Sequence, residues 1–230
     1  MSSILKLFSR FIGKTLISTS LTFFILTFFA IPLAENVGVI TESIDAEVLL
    51  EDVMENSDIT LEEARTLCNK NPSLEECEII ENPKVLLEEQ LKPVMETAEE
   101  IKPVLLAGRW ISIIIFILGI GLLYLGTFNI YETAYKTSIT TFFTSLIYSI
   151  FYKLSGNIIP SIAQNLASGN KEVPQALLDM AVKAIQNWIQ IPINEVFTLC
   201  LILMGISLPI AIASYILKNK QQKGTKKSEK

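Results

Sequence analysis

Residues 110–131 read WISIIIFILGIGLLYLGTFNIY, a stretch without one charged side chain. At about 1.5 Å per residue, a helix of this length crosses the ~30 Å hydrocarbon core of a bilayer with some tilt. Residues 15–34 and 196–217 are two further uncharged stretches of similar length. Three such stretches in a chain of 230 residues predict an all-α integral membrane protein.

The composition supports a membrane protein and excludes several chemistries. Apolar residues make up 50% of the chain and charged residues only 19%, below the roughly 25% typical of soluble domains. The chain has no histidine, which excludes Ser-His-Asp catalysis, histidine zinc sites and haem ligation by histidine. Its three cysteines are too few for a four-cysteine metal site.

The charges divide sharply along the chain. Residues 1–14 carry three bases and no acid, and residues 218–230 carry six lysines and one glutamate. Residues 35–105 hold 19 acids against five bases, a net charge of −14. Next to apolar segments, such an asymmetry follows the positive-inside rule rather than nucleic-acid binding. We therefore expect both basic ends in the cytoplasm and the acidic segment outside.

Residues 137–152, TSITTFFTSLIYSIFY, form a weaker fourth apolar segment between Lys136 and Lys153. Sixteen residues give a helix of about 24 Å, so the flanking lysines would have to snorkel. Two cytoplasmic ends require an even number of crossings, and three strong segments give an odd number. Parity therefore predicts that residues 137–152 also span, after a turn at 132–136.

The predicted protein is a cell-membrane, multi-pass chain with four transmembrane helices and a small acidic helical extracytoplasmic domain. Its segments follow in order: the basic N-tail and first helix 1–34, the acidic region 35–109, the helical hairpin 110–152, an external loop 153–195, the last helix 196–217 and a cytoplasmic lysine-rich tail 218–230. A second interpretation stays open for residues 1–34. A basic region, an apolar core and Pro32-Leu33-Ala34 before Glu35 also describe a cleaved signal peptide.

The acidic region has the signals of short helices. Thr60 with Glu63, and Ser73 with Glu76, are T/S-x-x-E capping boxes. Helices are predicted at about 44–56, 61–69, 74–80 and 84–105, with breaks or kinks at the prolines. Carboxylates are suitable calcium ligands, but no D-x-[DN]-x-[DN]-G loop is present. A solvated acidic face is therefore expected, with no metal site.

Cys68 and Cys77 flank the Asn71-Pro72 turn between two of these short helices. Outside the cell, where disulfides persist, a bridge between them would clamp the helical hairpin. Cys200 lies inside the last apolar segment, where we expect it to pack as a small apolar residue.

The second external loop contains an amphipathic helix over residues 174–190. Its apolar face carries Trp188, which is typical of helices that rest in the membrane interface. The same face could instead pack against the acidic region. Both interpretations stay open.

Hydroxyl side chains recur at helical spacing on residues 137–152, at Thr137, Thr141, Thr144, Ser145 and Tyr148. Thr15, Ser18 or Thr19, and Thr22 suggest a similar stripe on the first helix. Such residues allow close helix packing and interhelical hydrogen bonds, which is the interpretation favoured here. Phe142, Leu146 and Ile150 are then expected to point more toward lipid. The alternative is the polar lining of a pore in an oligomer. Gly119, Gly121 and Gly126 do not form a G-x-x-x-G motif.

The apolar segments contain no Asp, Glu, Lys or Arg, and the chain has no phosphate-binding G-x-x-x-x-G-K or nucleophile G-x-S-x-G motif. We therefore expect no enzyme, no catalytic residue, no cofactor and no nucleic-acid partner. The expected function is interaction or assembly with a protein partner through residues 35–105. The alternative is a small homo-oligomeric channel or transport accessory subunit. The lysine tail either contacts anionic lipid or is simply solvated.

Overall fold

The computed structural model describes residues 3–45, 50, 60–70, 77, 80, 83–169 and 175–228. Within these residues the chain forms helices and no strand, as expected for an all-α protein. The helices are α1 Ser3–Glu35, α2 Gly38–Ser43, α3 Leu61–Lys70, α4 Pro83–Thr127, α5 Ile130–Gly169 and α6 Gln175–Ser228. Most of the predicted helices 44–56 and 74–80, and the Ser73–Glu76 capping box, lie outside the described residues.

In the part of the chain that the structure describes, three helices are long and apolar enough to cross a membrane. The candidate spans are Ser3–Glu35, Leu91–Thr127 and Asp179–Gln221. They contain the three strong apolar stretches of the sequence. Helix α5 is not among them, which agrees with the weaker apolar character of residues 137–152.

The chain divides into two compact units. The first, here called the bundle unit, comprises Met1–Ile31, Pro103–Leu154 and Ile193–Lys230. The second, here called the acidic unit, comprises Pro32–Lys102 and Ser155–Pro192. Ile17, Ile25, Leu123, Val196 and Cys200 are fully buried in the bundle unit.

Prolines do not break the long helices. The predicted helices 84–105 and 110–131 form the single helix α4, which continues through Pro103. The predicted helices 174–190 and 196–217 likewise form α6, which continues through Pro192. An internal proline removes one backbone hydrogen bond and crowds the preceding turn, but packing of the surrounding helix can outweigh this cost. Pro192 is itself fully buried, so its ring contributes to that packing.

The turn between α4 and α5 lies at residues 128–129, not at the predicted 132–136. Phe128 takes a positive φ of 49° and reverses the chain. The side-chain oxygen of Asn129 then accepts hydrogen bonds from the backbone N–H groups of Tyr131 at 2.9 Å and Glu132 at 3.1 Å. Asn129 is thus the N-cap of α5, and this cap fixes where the helix begins.

Candidate functional site

The first feature of interest is the end of the bundle unit where the start of α1, the α4–α5 turn and the end of α6 meet. Arg10 donates a hydrogen bond from Nε to the carbonyl oxygen of Gly126 at 2.8 Å. The Asn129 amide donates to Gln221 Oε1 at 3.0 Å. The Lys6 ammonium lies 5.4 Å from the ring centroid of Phe128. We call this region the basic end.

Glu132 is the carboxylate around which several bases of the basic end gather. Lys136 Nζ lies 2.5 Å from one of its oxygens and Lys218 Nζ lies 3.7 Å from the other. Partial burial by itself raises the pKa of Glu132, but the Lys136 hydrogen bond and the positive charges of Lys136, Lys218 and Arg10 outweigh it and lower the pKa. The charged form of Glu132 therefore links α5 to α6.

A groove of about 560 Å³ opens at the same end. Its lining combines three cations with apolar side chains: Ile4, Leu7, Phe8, Arg10, Phe11, Lys14 and Lys136. The four apolar side chains are all more than half exposed.

The hydroxyl residues of α5 lie mostly inside the bundle unit. Thr141, Thr144 and Ser145 are buried, and Ser145 is fully enclosed. Thr137 and Tyr148 are half-buried. Among the described atoms, Ser145 Oγ and Thr137 Oγ1 have no hydrogen-bond partner.

The predicted lipid-facing side of α5 is displaced by about one residue. Ile150 is exposed as expected, but Phe142 and Leu146 are half-buried. Phe143 and Ile147 are the exposed residues instead, at 54% and 63%.

The predicted hydroxyl stripe on the first helix is only partly covered, since Ser18 and Thr22 are half-buried. Thr15 and Thr19 are exposed. The buried hydroxyl residues of α1 are Ser9, Ser20 and Thr27. Ser9 Oγ crosses to α4 and donates to the carbonyl oxygen of Leu122 at 2.5 Å, which is an interhelical hydrogen bond of the kind membrane helices use.

Glycines bring the backbones of α1 and α4 together, a contact that the search for G-x-x-x-G did not find. A Cβ atom added to Gly13 would lie 2.7 Å from the backbone nitrogen of Leu123 and 2.9 Å from the carbonyl oxygen of Gly119. A Cβ atom on Gly126 would lie 2.9 Å from the backbone nitrogen of Arg10. Gly119 and Gly126 are seven residues apart, and Ser112 is seven before Gly119. This heptad of small residues is the signal that could have identified the contact.

A second, smaller cavity of about 180 Å³ lies between the four helices of the bundle unit. It is lined by Ser20, Leu21, Phe24, Ser112, Ile113, Phe116, Thr141 and Leu203. The Ser20 and Ser112 hydroxyls donate to carbonyl oxygens of their own helices. The cavity is therefore mainly apolar despite its hydroxyl residues.

Helix α5 accompanies α6 over most of its apolar segment. The rings of Tyr135 and Tyr215 lie 5.7 Å apart, and Lys153 Nζ lies 5.9 Å from the ring centroid of Phe197. The two contacts are eighteen residues apart in each helix and run in opposite directions, so the helices are antiparallel. Eighteen helical residues extend about 27 Å, close to the thickness of a bilayer core.

In the acidic unit, Cys68 and Cys77 form the expected disulfide, with Cα atoms 5.2 Å apart. Both cysteines are buried and form one apolar cluster with Ala64 and Ile80. Cys200 is a free, buried thiol in the bundle unit. The disulfide thus joins helix α3 to the segment that follows it.

The capping box predicted at Thr60 is present at the start of α3. The Glu63 backbone N–H donates to Thr60 Oγ1 at 3.3 Å, and the Thr60 backbone N–H donates to Glu63 Oε2 at 3.0 Å. The Thr60 hydroxyl also donates to Glu63 Oε2, at 3.0 Å. The backbone N–H of Thr60 first, and its hydroxyl second, lower the pKa of the Glu63 carboxyl by donating to it.

Other contacts organise the acidic unit around the end of α1. Lys102 Nζ lies 2.7 Å from Glu35 Oε1. The Trp188 indole N–H donates to the carbonyl oxygen of Leu33 at 2.8 Å. Trp188 therefore contacts the last residues of the predicted first span, next to the expected membrane interface, and both interpretations of residues 174–190 stay open.

Several apolar side chains of the acidic unit are exposed next to carboxylates. On α4, Val94, Met95 and Ile101 are 47%, 39% and 46% exposed. Glu96, Glu99 and Glu100 lie between them in sequence and are exposed as well. On α3, Leu67 is 50% exposed.

Among the described residues, no three acidic or cysteine side chains converge closely enough to hold a metal ion. Comparison with protein-family models, with curated proteins and with solved structures found no match to this chain.

Proposed function

We propose that this chain is a four-span membrane protein with a cytoplasmic C-terminus. The fourth span is α5, supported by its antiparallel contacts with α6 at Tyr135 and Lys153. A helix that follows an apolar span over about 27 Å has to cross the same hydrocarbon layer. Its buried hydroxyl residues remove the objection that residues 137–152 are too polar to face lipid.

The distribution of charged residues indicates which side of the membrane each part of the chain faces. At the basic end, Lys136, Lys218 and Arg10 lie near Glu132, and Lys6 lies over the Phe128 ring. Cationic ends of membrane helices stay in the cytoplasm. The acidic residues 35–105 are then extracytoplasmic, where the disulfide between Cys68 and Cys77 is stable.

The proposed activity of this extracytoplasmic part is to bind a protein partner, without enzymatic chemistry. The observation that carries the proposal is the set of exposed apolar side chains at Val94, Met95 and Ile101 beside Glu96, Glu99 and Glu100. Val94 and Ile101 are seven residues apart and share one face of α4, whereas the three glutamates lie on its other sides. An apolar face on an otherwise acidic helix complements a partner that has an apolar patch next to basic residues. Binding should weaken as salt is added, because salt screens the attraction between these glutamates and basic residues of the partner.

The test is site-specific photocrosslinking in intact cells that express the full chain. A photoreactive residue at Val94 or Ile101 should give one discrete protein adduct, and the same residue at the lipid-facing Ile206 should give none. Replacing Glu96, Glu99 and Glu100 with glutamine should reduce the adduct yield several-fold. The matched control is Glu195→Gln, an exposed acid of the bundle unit.

The alternative channel function predicts a different outcome. Thr141, Thr144 and Ser145 are buried within one chain, so a pore lined by them would require the bundle to open. Ion flux in liposomes that contain the purified protein, with no adduct at Val94 or Ile101, would contradict the interaction proposal and favour a channel.

A further inference from the structure

The groove at the basic end has two kinds of surface that meet along one edge of α1. Lys14 and Arg10 follow each other at a spacing of four residues, which places them on one side of the helix. Ile4, Leu7 and Phe11 recur at spacings of three and four on the adjoining side. Lys136 closes the groove from α5.

The length of α1 sets the depth of this groove. The helix has 33 residues, which extend about 50 Å, whereas a bilayer core is about 30 Å thick. If residues 15–34 occupy the core, residues 3–14 continue for about 18 Å beyond it. Lys14 then lies at the edge of the core and Arg10 about 6 Å beyond it, at the level of the phospholipid headgroups. The exposed apolar side chains flank these cations on the headgroup side of Lys14.

The cationic side chains of the groove are only partly paired with acceptor groups of the chain. Lys136 pairs with Glu132. Arg10 donates its Nε to the Gly126 carbonyl, which holds the guanidinium in place and leaves its terminal nitrogens for another acceptor. Lys14 is exposed and forms no ion pair with any carboxylate in the described part of the chain.

We propose that this groove binds the headgroup of one anionic phospholipid of the surrounding membrane. Arg10 and Lys14 contact the headgroup phosphate, and Lys136 shares its charge between the phosphate and Glu132. Phe11, which lies between Arg10 and Lys14 along α1, contacts the glycerol backbone of the lipid. Basic pockets between membrane helices are well suited to such lipids because cations and apolar stems meet at the interface. The proposed topology enters only in assigning the site to the cytoplasmic leaflet.

The test is native mass spectrometry of the full-length protein, released from detergent in the presence of equal amounts of phosphatidylglycerol and phosphatidylcholine. The wild type should retain phosphatidylglycerol preferentially. Lys14→Gln should lower that preference about fivefold, the effect of one interfacial cation. Lys14→Arg should retain it, which shows that charge rather than folding is responsible.

The matched control is Lys153→Gln, which removes the same charge from an exposed lysine at the other end of the α5 apolar segment. It should leave the preference unchanged. No preference in the wild type, or an equal loss in Lys153→Gln, would overturn the proposal. Glycerol phosphate, added as a soluble headgroup, should not displace the lipid; displacement at the same concentration would mean a free-phosphate site and would also overturn it. None of these outcomes depends on which side of the membrane the groove faces or on a protein partner.

Discussion

At the scale of single residues, the contact of Gly13 with α4 leaves no room for a side chain. A Cβ atom there would lie within 3.0 Å of three backbone atoms of Gly119 and Leu123. Backbone atoms cannot move aside as the end of a flexible side chain can, so the two helices would have to separate. Overpacking of this kind costs about 1–3 kcal/mol.

We predict that Gly13→Ala lowers the thermal stability of the purified protein in detergent. The measurement is loss of helical circular dichroism on heating. The matched control is Gly121→Ala on α4, where an added Cβ meets nothing within 4 Å. It should be neutral or slightly stabilising, because alanine favours helix more than glycine does. Equal destabilisation by both variants would refute the close contact.

Glu63 gives a prediction about pH. Its hydrogen bonds with Thr60 lower the pKa of the carboxyl from the usual 4.5. The charged carboxylate therefore stabilises the start of α3 above pH 4.5, and this contribution is lost as the pH falls through the lowered pKa. Carbon-13 NMR titration of the Glu63 carboxyl should show a pKa below 4.5. Thr60→Ala removes the hydroxyl donor but keeps the backbone N–H, so it should bring the Glu63 pKa only part of the way back. A Glu63 pKa that Thr60→Ala leaves unchanged would refute the capping box.

At the scale of elements, Ser145 marks the buried face of α5. It is fully enclosed, so a larger side chain has to displace neighbouring helices. We predict that Ser145→Leu lowers the thermal midpoint, whereas Ile147→Leu on the exposed face does not. The thermal midpoints of both variants are measured in detergent by a fluorescence-based unfolding assay. Tolerance of Ser145→Leu together with loss of stability in Ile147→Leu would mean that α5 presents its opposite face to the bundle.

The disulfide is the clamp of the acidic unit. Non-reducing mass spectrometry should find Cys68 and Cys77 in one cross-linked peptide, with Cys200 alkylated as a free thiol. Closing so short a loop stabilises the acidic unit by about 2–3 kcal/mol through chain entropy. Replacing both cysteines with serine should therefore increase hydrogen exchange in α3, and should leave hydrogen exchange around Cys200 in the bundle unit unchanged. Recovery of Cys68 and Cys77 as free thiols after rapid alkylation would contradict the clamp.

The elements also show what sequence patterns can and cannot predict. The three apolar stretches, the cysteine pair and the Thr60 capping box depend on composition or on spacings of a few residues, and all three appear in the structure. The continuation of α4 through Pro103, the cap at Asn129 and the approach of Gly13 to Gly119 were missed. The approach of Gly13 to Gly119 depends on packing between helices distant in sequence. Asn129 was detectable, because Asn-x-x-Glu is a cap signal like Thr-x-x-Glu.

At the scale of the whole molecule, the central claim is that α5 crosses the membrane with α1, α4 and α6. One support for the claim is that two basic, cytoplasmic ends require an even number of membrane crossings. The other is the pair of antiparallel contacts that Tyr135 and Lys153 make along α6. Without this crossing, either the lysine tail is outside or the acidic segment is inside, against the positive-inside rule.

The most direct measurement is cysteine labelling in intact cells with a membrane-impermeant maleimide, in a Cys200→Ala background that keeps the disulfide. Ile158→Cys, at an exposed position beyond the far end of the proposed α5 span, should be labelled from outside. Lys220→Cys, on the exposed end of α6, should react only after the cells are lysed. Labelling of Lys220→Cys in intact cells, or of Ile158→Cys only after lysis, would contradict the four-span topology.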